Sequence, residues 1–277
     1  MDTLATAPLV VASGTALALL LALAIDHLWG EPPVRWHPVV WMGHYLAWAG
    51  ARLQGLARAD GAPDFKAFWL GALYWCAGCA IVIIAFWGGN HVLQQLTGVL
   101  GRVMAVLALA LLLKPLLAWR MLKSEVRAVD TALAQSLAQG RARLSWLVSR
   151  DTAQLDESQV RESAIESLAE NLSDSVVAPI FWFVVLGLPG AALYRFANTA
   201  DAMWGYPGLY KGHNWAWAGK WAARVDDVLN YLPARITGVV LAGLRRVPLR
   251  LLQREAGKTP SPNSGWPMAA MALALGI

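Results

Sequence analysis

The chain has 277 residues, of which 57% are apolar and 15% charged, and its mean hydropathy is +0.44. Soluble domains are usually about 25% charged, so the composition argues against a soluble single-domain enzyme and excludes disordered, collagen-like and disulfide-scaffold proteins. The net charge of +5 comes from basic residues beside apolar runs, which favours membrane orientation over nucleic-acid binding.

Apolar runs in chain order predict four to five membrane-embedded helices, because a helix needs about 20 residues to cross the hydrocarbon core. The runs cover residues 9–25, 67–87, 93–113, 175–194 and 266–277. Pro179, Gly187 and Pro189 interrupt the fourth run, which predicts a broken or re-entrant helix. We therefore predict an all-α polytopic membrane protein that forms a single embedded domain over residues 1–277.

Basic residues between the runs predict the orientation of the chain. Residues 26–66 and 114–174 carry several Lys and Arg residues, whereas residues 88–98 carry none. The positive-inside rule places 26–66 and 114–174 in the cytoplasm, with 114–174 as a helical segment. Residues 195–262 are predicted as a loop region that bears polar motifs, with Gly, Pro and Asn turns and a short helix around residues 223–232.

Both cysteines of the chain, Cys76 and Cys79, fall within the second apolar run. A redox pair is one interpretation of this CxxC pattern, but hydrocarbon lacks the electropositive, partly exposed setting that activates thiolates. Close helix packing through small residues is the favoured interpretation.

Acidic residues recur every fourth position at Glu162, Glu166, Glu170 and Asp174. On a helix each such step advances 40°, so the carboxylates form one slowly winding stripe. A solvated helix face is the usual explanation. Because like charges at this spacing repel and an apolar run follows directly, Mg²⁺ with bound phosphate is the favoured one.

Two further groups of oxygen ligands follow along the chain. One is Asn198 with Asp201, and the other is Asp226, Asp227 and Asn230, where spacings of three and four place an acid beside the amide on one helix face. The absence of a His or Cys cluster from the sequence favours a hard cation such as Mg²⁺ over zinc. Each of the three acidic groups alone is weak evidence for a metal site, but the presence of all three in one chain strengthens the prediction of bound Mg²⁺.

Basic side chains lie close to these acids in the sequence. Arg150, Arg224 and Arg235 are predicted to bind phosphate through forked guanidinium donors, with structural ion pairing as the alternative. His37, in a proline-rich stretch, is a candidate general base, although a lone loop histidine is more often incidental.

Several of these motifs are shared with a known family. They are DHLWGEPP with HPV (26–39), SRDT (149–152), ESxxESxAENxxD (162–174), NTxD (198–201), ARxDDxxNxxPAR (223–235) and SPNSGWPMAA (261–270). In this order, from about residue 20 onward, the sequence resembles the CobD/CbiB family of cobalamin biosynthesis, the membrane-bound adenosylcobinamide-phosphate synthases.

The resemblance implies an ATP- and Mg²⁺-dependent ligase that joins adenosylcobyric acid to aminopropanol phosphate. It also implies a bacterial inner-membrane location and a cytoplasmic active site. Members of the family typically continue for some tens of residues beyond the SPN motif, whereas this sequence ends at Ile277, partway into an apolar run. For catalysis the resemblance implies Glu166, Glu170 and Asp227, with His37 as an alternative base. The implied metal ligands are Asp174, Asp201, Asp226 and Asp227. The implied substrate- or phosphate-binding residues are Arg150, Asn171, Asn198, Arg224, Asn230 and Arg235.

Three other functions stay open at this point. A catalytically silent protein resembling the AmpE branch would act in membrane signalling. A membrane prenyltransferase would hold Mg²⁺ diphosphates on two acid-rich motifs. A transporter would show inverted repeats, which the sequence lacks.

Overall fold

The computed structural model describes the backbone of residues 3–54 and 62–277, with side chains from residue 13 onward. Within these residues the regular secondary structure is helical apart from one short antiparallel hairpin, β1 (Leu209–Tyr210) with β2 (His213–Asn214). The helices are α1 (Thr3–Trp29), α2 (Pro38–Gln54), α3 (Phe65–Gln94), α4 (Gly98–Leu113), α5 (Trp119–Gln135), α6 (Leu137–Leu144), α7 (Glu157–Leu172), α8 (Ala178–Trp204), α9 (Lys220–Leu229), α10 (Tyr231–Leu244), α11 (Leu249–Ala256) and α12 (Gly265–Leu275). The predicted all-α class is confirmed.

Three helical stretches of the described chain are long and apolar enough to cross a membrane: Phe65–Gln94, Gly98–Gln135 and Glu157–Trp204. Shorter apolar helices cover Ser13–Trp29, Tyr231–Leu244 and Gly265–Leu275. These helices confirm the membrane character. The apolar helix Tyr231–Leu244 was not predicted, since its uncharged stretch is short and lies between Arg235 and Arg245.

Three predicted segments differ from the structure in detail. Residues 195–262 are mostly helical, not a loop region, because the turn residues of this region mark helix ends and the β-hairpin. The predicted loop 26–66 contains α2, and its residues 55–61 lie outside the described part of the chain. The run 93–113 begins in the last two residues of α3 and continues as α4 from Gly98, whose positive φ of 72° separates α4 from α3.

The chain divides into two compact units, where the sequence predicts a single domain. Unit 1 comprises Met1–Leu117 with Pro179–Val228, and unit 2 comprises Ala118–Ala178 with Leu229–Ile277. In unit 1, α1 packs against α4 and α2 against α3. Large side chains of α8, including Tyr194, Phe196 and Trp204, are fully buried in this unit.

Close helix packing at the CAGC sequence of α3 is confirmed. A Cβ at Gly78 would lie 2.3 Å from a ring carbon of Tyr45 and 2.5 Å from one of Phe196, so only glycine fits there. Cys79 is buried and Cys76 exposed, and both are free thiols. The small residues of this sequence therefore serve packing.

The fourth apolar run is broken as predicted. Gly187 adopts φ 69° and ψ −162° inside α8, a conformation open mainly to glycine, and Pro189 follows it. The break divides α8 into two helices that meet at a kink. Whether this segment crosses the membrane or re-enters it stays a prediction.

Unit 2 is built on α5, α6 and α7, which pack around one apolar cluster, and on α10 to α12. The cluster consists of Val129, Leu133, Leu144, Val160 and Ala164. Helix α7 begins at a capping box, in which Asp156 accepts from the Gln159 amide and the Gln159 side chain accepts from the Asp156 amide. The cap fixes the start of the helix that carries the acidic stripe.

Candidate functional site

The acidic stripe and the third polar motif meet at Asp174 and Asn230 in unit 2. Asn230 is 4% exposed, and its Nδ2 donates to Oδ1 of Asp174 at 2.5 Å. Asp174 lies in a π-helical turn, Ser173–Val177, a form that often marks functional sites. The acidic stripe of α7 therefore ends within this π-helical turn.

Neighbouring hydroxyls connect the same turn to α10. Thr237, which is 2% exposed, donates to the Pro233 carbonyl at 2.9 Å and lies 3.4 Å from Oγ of Ser173. These buried contacts position the backbone around Asp174. Ser173 and Thr237 were missed by the sequence analysis, because nothing in the spacing of two hydroxyls 64 residues apart indicates a contact.

Arg150 and Glu166, both predicted site residues, form an ion pair. Nη2 of Arg150 lies 3.0 Å from Oε2 of Glu166 and also donates to the hydroxyl of Ser163. The two charged side chains are 52% and 47% exposed, so the pair adds little to stability and both partners remain accessible from solvent.

The remaining stripe residues occupy the last turns of α7. Glu170 is half-buried, and Asn171 turns back onto its own helix, where Nδ2 donates to the Ser167 carbonyl at 2.9 Å. The structure thus gives Asn171 a local partner within its own helix. Its predicted role as a substrate ligand stays a prediction.

Arg235 connects α10 to the SPN motif. Its guanidinium donates to Oδ1 of Asn263 at 2.6 Å and to the Pro262 carbonyl at 2.9 Å. The same group stacks 3.7 Å over the ring of Tyr231. Asn263 is 3% exposed and was not among the predicted site residues, although the SPN motif itself contained the signal.

Unit 1 holds the other predicted oxygen ligands. On α8, Nη1 of the buried Arg195 donates to Oδ1 of Asn198 at 3.4 Å. The Asp201 side chain lies close to the backbone that follows α8, since a Cβ at Gly205 would lie 2.0 Å from its Oδ1. Glycine at 205 therefore leaves room for this carboxylate. Arg195 was missed by the sequence analysis.

Helix α9 carries Arg224, Asp226 and Asp227. Asp226 is 8% exposed, whereas Arg224 is exposed. Burial raises the pKa of Asp227 above its usual value, and the nearby positive charge of Arg224 offsets part of that effect. Helix α9 ends at Leu229, so Asn230 does not continue the helix face predicted for this motif.

A buried charge network surrounds His37 in unit 1. Nζ of Lys114 lies 2.8 Å from Oε2 of Glu31 and 3.5 Å from Oδ1 of Asp26, and Nε2 of His37 shares a 3.0 Å hydrogen bond with the same Glu31 oxygen. Asp26 is fully buried and Lys114 is 4% exposed. Burial alone would raise the pKa of Glu31, but the hydrogen bonds from His37 and Lys114 lower it below its usual value.

The donor set of unit 2 has the chemistry that Mg²⁺ requires. Oδ1 of Asn230 is buried and, within the described residues, has no hydrogen-bond partner, and it lies on the same amide that contacts Asp174. No group of three His, Cys, Asp or Glu side chains in the described chain suits a metal ion. Mg²⁺ often takes only one or two protein carboxylates and completes its shell with water and substrate phosphates. A carboxylate beside an orphaned amide oxygen fits that pattern.

The structure therefore brings two predicted pairs together, Asp174 with Asn230 and Arg150 with Glu166, both in unit 2. Asn198, Asp201, Arg224, Asp226, Asp227 and His37 belong to unit 1. Convergence of the two sets on one pocket stays a prediction.

The fold and these polar clusters define an all-α membrane protein with acid, amide and arginine side chains on its helix ends. A profile of the family described as CobD/Cbib protein matches residues 19–277, so the chain belongs to the CobD/Cbib family.

Curated relatives support this membership. A protein named as a probable cobalamin biosynthesis protein CobD, from Methanothermobacter thermautotrophicus, is 41% identical over 94% of this chain and 82% of its own length. A cobalamin biosynthesis protein CobD from Chromobacterium violaceum is 42% identical over 95% of this chain and 80% of its own length. Another cobalamin biosynthesis protein CobD, from Halalkalibacterium halodurans, is 38% identical over 94% of this chain and 80% of its own length. No solved structure matches the chain.

Proposed function

We propose that this protein is an ATP- and Mg²⁺-dependent synthase that joins adenosylcobyric acid to aminopropanol phosphate, giving adenosylcobinamide phosphate. The observation that carries the proposal is the contact between Asp174 and Asn230. It joins two polar motifs that resemble those of the synthases, and it presents a carboxylate beside a buried amide oxygen. Membership of a family whose curated members are named for cobalamin biosynthesis supports a role in that pathway.

The chemistry of amide formation accounts for the types of residue in these motifs. A carboxylate must first be activated, most simply as an acyl phosphate, by transfer of the terminal phosphoryl group of ATP. The amine then attacks the acyl carbon, the C–N bond forms, inorganic phosphate leaves, and the amine loses a proton. Bound Mg²⁺ would neutralise phosphate charge, with Asp174 and Asn230 as its ligands in unit 2 and Asp201 and Asp226 as candidate ligands in unit 1.

Arginine side chains are suited to hold the phosphate groups. Arg150 is half-exposed beside Glu166, and Arg224 is exposed on α9. A guanidinium binds phosphate through two parallel hydrogen bonds, so either side chain can orient an anionic substrate. Arg235, whose guanidinium already binds Asn263 and Pro262, positions the SPN motif in this proposal.

Asp227 is the favoured base for the proton that the amine loses. Efficient general bases have a pKa closer to the working pH than an ordinary carboxylate has. Burial shifts the pKa of Asp227 in that direction. His37 is less suited, since one ring nitrogen is bound to Glu31 and the other is buried.

The test is turnover by the purified protein in nanodiscs, supplied with adenosylcobyric acid, aminopropanol phosphate and Mg-ATP. We expect ADP release matched by formation of the amide product, measured by mass spectrometry. No product and no ADP would overturn the proposal and favour a catalytically silent protein, and substrate uptake into vesicles without turnover would favour a transporter.

A matched pair of variants links the activity to the site. Asp174→Asn is expected to abolish turnover, because it removes the charged oxygen beside Asn230. Glu157→Gln changes an exposed carboxylate at the start of α7, which pairs with the exposed Arg161, and it is expected to leave turnover unchanged. Equal activity of the two variants would remove Asp174 from the site.

A further inference from the structure

An apolar cavity of about 430 Å³ lies within unit 1, between α2, α3, the end of α4 and α8. Its floor is buried and includes Met42, Gly78, Val82, Leu188 and Phe196. Its rim includes exposed apolar residues, among them Trp36, Trp41, Ile81 and Leu111. The cavity is therefore a recess that opens on the outer surface of apolar helices.

The shape of the cavity suits an extended chain. Its lining follows α3 from Gly78 to Gly89, a stretch of about 16 Å at 1.5 Å per residue. This stretch lies inside Phe65–Gln94, one of the helices long and apolar enough to cross a membrane. An acyl chain of the surrounding bilayer is thus the apolar molecule nearest to the opening.

Two polar side chains of the lining, Tyr45 and Trp41, have hydrogen-bond partners already. The Tyr45 hydroxyl donates to the Tyr74 carbonyl at 2.8 Å, and Nε1 of Trp41 donates to the Arg35 carbonyl at 3.0 Å. A ligand of this cavity gains packing contacts, since atoms that line an unfilled space lack partners on one side. A polar substrate would find few hydrogen-bonding groups there.

The positively charged Arg35 lies next to the end of the cavity that is lined by Trp36 and Trp41. Arg35 is exposed, its guanidinium lies 5.8 Å from the ring centre of Trp36, and its carbonyl binds Trp41. Within the described residues Arg35 forms no ion pair. Tryptophan and arginine together are typical of the bilayer interface, where anionic headgroups attract basic side chains.

From this arrangement we propose that unit 1 binds an anionic phospholipid, with one acyl chain along α3 in the cavity and the phosphate on Arg35. The site is independent of the proposed ligase reaction. Charge complementarity at Arg35 selects an anionic over a zwitterionic lipid, and the apolar lining holds the chain.

Ala85 offers a direct way to block the site. It is exposed and lines the cavity, so Ala85→Phe fills the recess without displacing a buried side chain. Ile84, the preceding residue of α3, is 68% exposed and outside the lining, so Ile84→Phe is the matched control.

The experiment is native mass spectrometry of the full chain after incubation with equal amounts of phosphatidylglycerol and phosphatidylcholine. We expect the protein to retain phosphatidylglycerol preferentially, Ala85→Phe to reduce retained lipid to the non-specific background, and Ile84→Phe to retain it normally. Arg35→Gln should lower the preference for phosphatidylglycerol about fivefold, the value of one interfacial basic residue.

Several results would overturn the proposal. These are normal retention by Ala85→Phe, equal loss in Ile84→Phe, or an unchanged lipid preference in Arg35→Gln. Displacement of the lipid by adenosylcobyric acid would assign the cavity to the substrate instead. If Ala85→Phe does not fold, as judged by circular dichroism, the preference measured with Arg35→Gln decides alone.

Discussion

Asn230 and Asp174, 56 residues apart in the sequence, share a 2.5 Å hydrogen bond in which the amide nitrogen donates to a carboxylate oxygen. The contact fixes the orientation of the Asn230 side chain and leaves its own oxygen buried without a partner among the described residues. A polar group in that state is costly unless a ligand completes it, which makes this pair the most informative place to perturb the candidate site.

Replacement of Asn230 tests the pair directly. Asn230→Leu keeps the branched shape of the side chain but removes the donor to Asp174, and a hydrogen bond to a charged group contributes about 1.5–3 kcal/mol. We expect kcat/KM to fall at least about tenfold, measured as ADP release. Gln253→Leu, an exposed amide on α11, serves as the control and should retain normal activity.

Asp227→Asn tests the proposed base. We expect loss of turnover with normal membrane insertion. Because the pKa of Asp227 is raised in the folded protein, its ionised form disfavours folding once the pH rises through that pKa. The asparagine variant should therefore be no less stable than the wild type at neutral pH.

The pH profile of the wild type provides a second measurement on Asp227. A base must be ionised to accept a proton, so kcat/KM should fall as the pH drops through a pKa above the ordinary aspartate value. Near-normal turnover of Asp227→Asn, with an unchanged acid limb in its profile, would contradict the role of this residue.

Removal of Lys114 is expected to destabilise unit 1 strongly. The variant Lys114→Met leaves Asp26 and Glu31 without the ammonium group that lies between them, and breaking a buried ion pair from one side costs about 3–5 kcal/mol. The midpoint of thermal unfolding should fall clearly. Lys258→Met, an exposed lysine that pairs with Glu255, should leave the midpoint unchanged. An equal change in the thermal midpoint of both variants would show that the buried charge network does not stabilise unit 1 more than an exposed ion pair does.

Gly78→Ala tests the close packing of α3. The added methyl group would lie within 2.5 Å of Tyr45 and Phe196, whereas a Cβ at Gly88 meets nothing within 4 Å. We expect Gly78→Ala to lower the thermal midpoint, since overpacking costs about 1–3 kcal/mol, and Gly88→Ala to leave it unchanged. Similar midpoints for the two variants would contradict the packing described for this helix.

Labelling of a single cysteine tests the predicted orientation. Ala138 is exposed on α6, within the segment that the positive-inside rule places in the cytoplasm, so Ala138→Cys in a background of Cys76→Ala and Cys79→Ala provides the probe. A membrane-impermeant maleimide should react only from the cytoplasmic side of sealed vesicles. Reaction from the opposite side would reverse the topology.

The sequence by itself determined the helical membrane class, the break in the fourth apolar run and the packing at CAGC. Each depends on neighbours along the chain: apolar runs of sufficient length, a Gly-Leu-Pro-Gly stretch, or small residues one helical turn apart. The motif resemblance also determined the family that the comparisons confirm.

Tertiary structure alone decided which polar side chains meet. Spacing in a sequence predicts contacts three or four residues apart on one helix, but Asp174 meets Asn230 56 residues away, and Glu31 meets Lys114 83 residues away. The end of α9 at Leu229 also separates Asn230 from the helix that carries Asp226 and Asp227. Which polar side chains become partners depends on how the helices pack and where they end. Burial of an unpaired charge or amide is unfavourable, so the packed structure pairs these groups with one another.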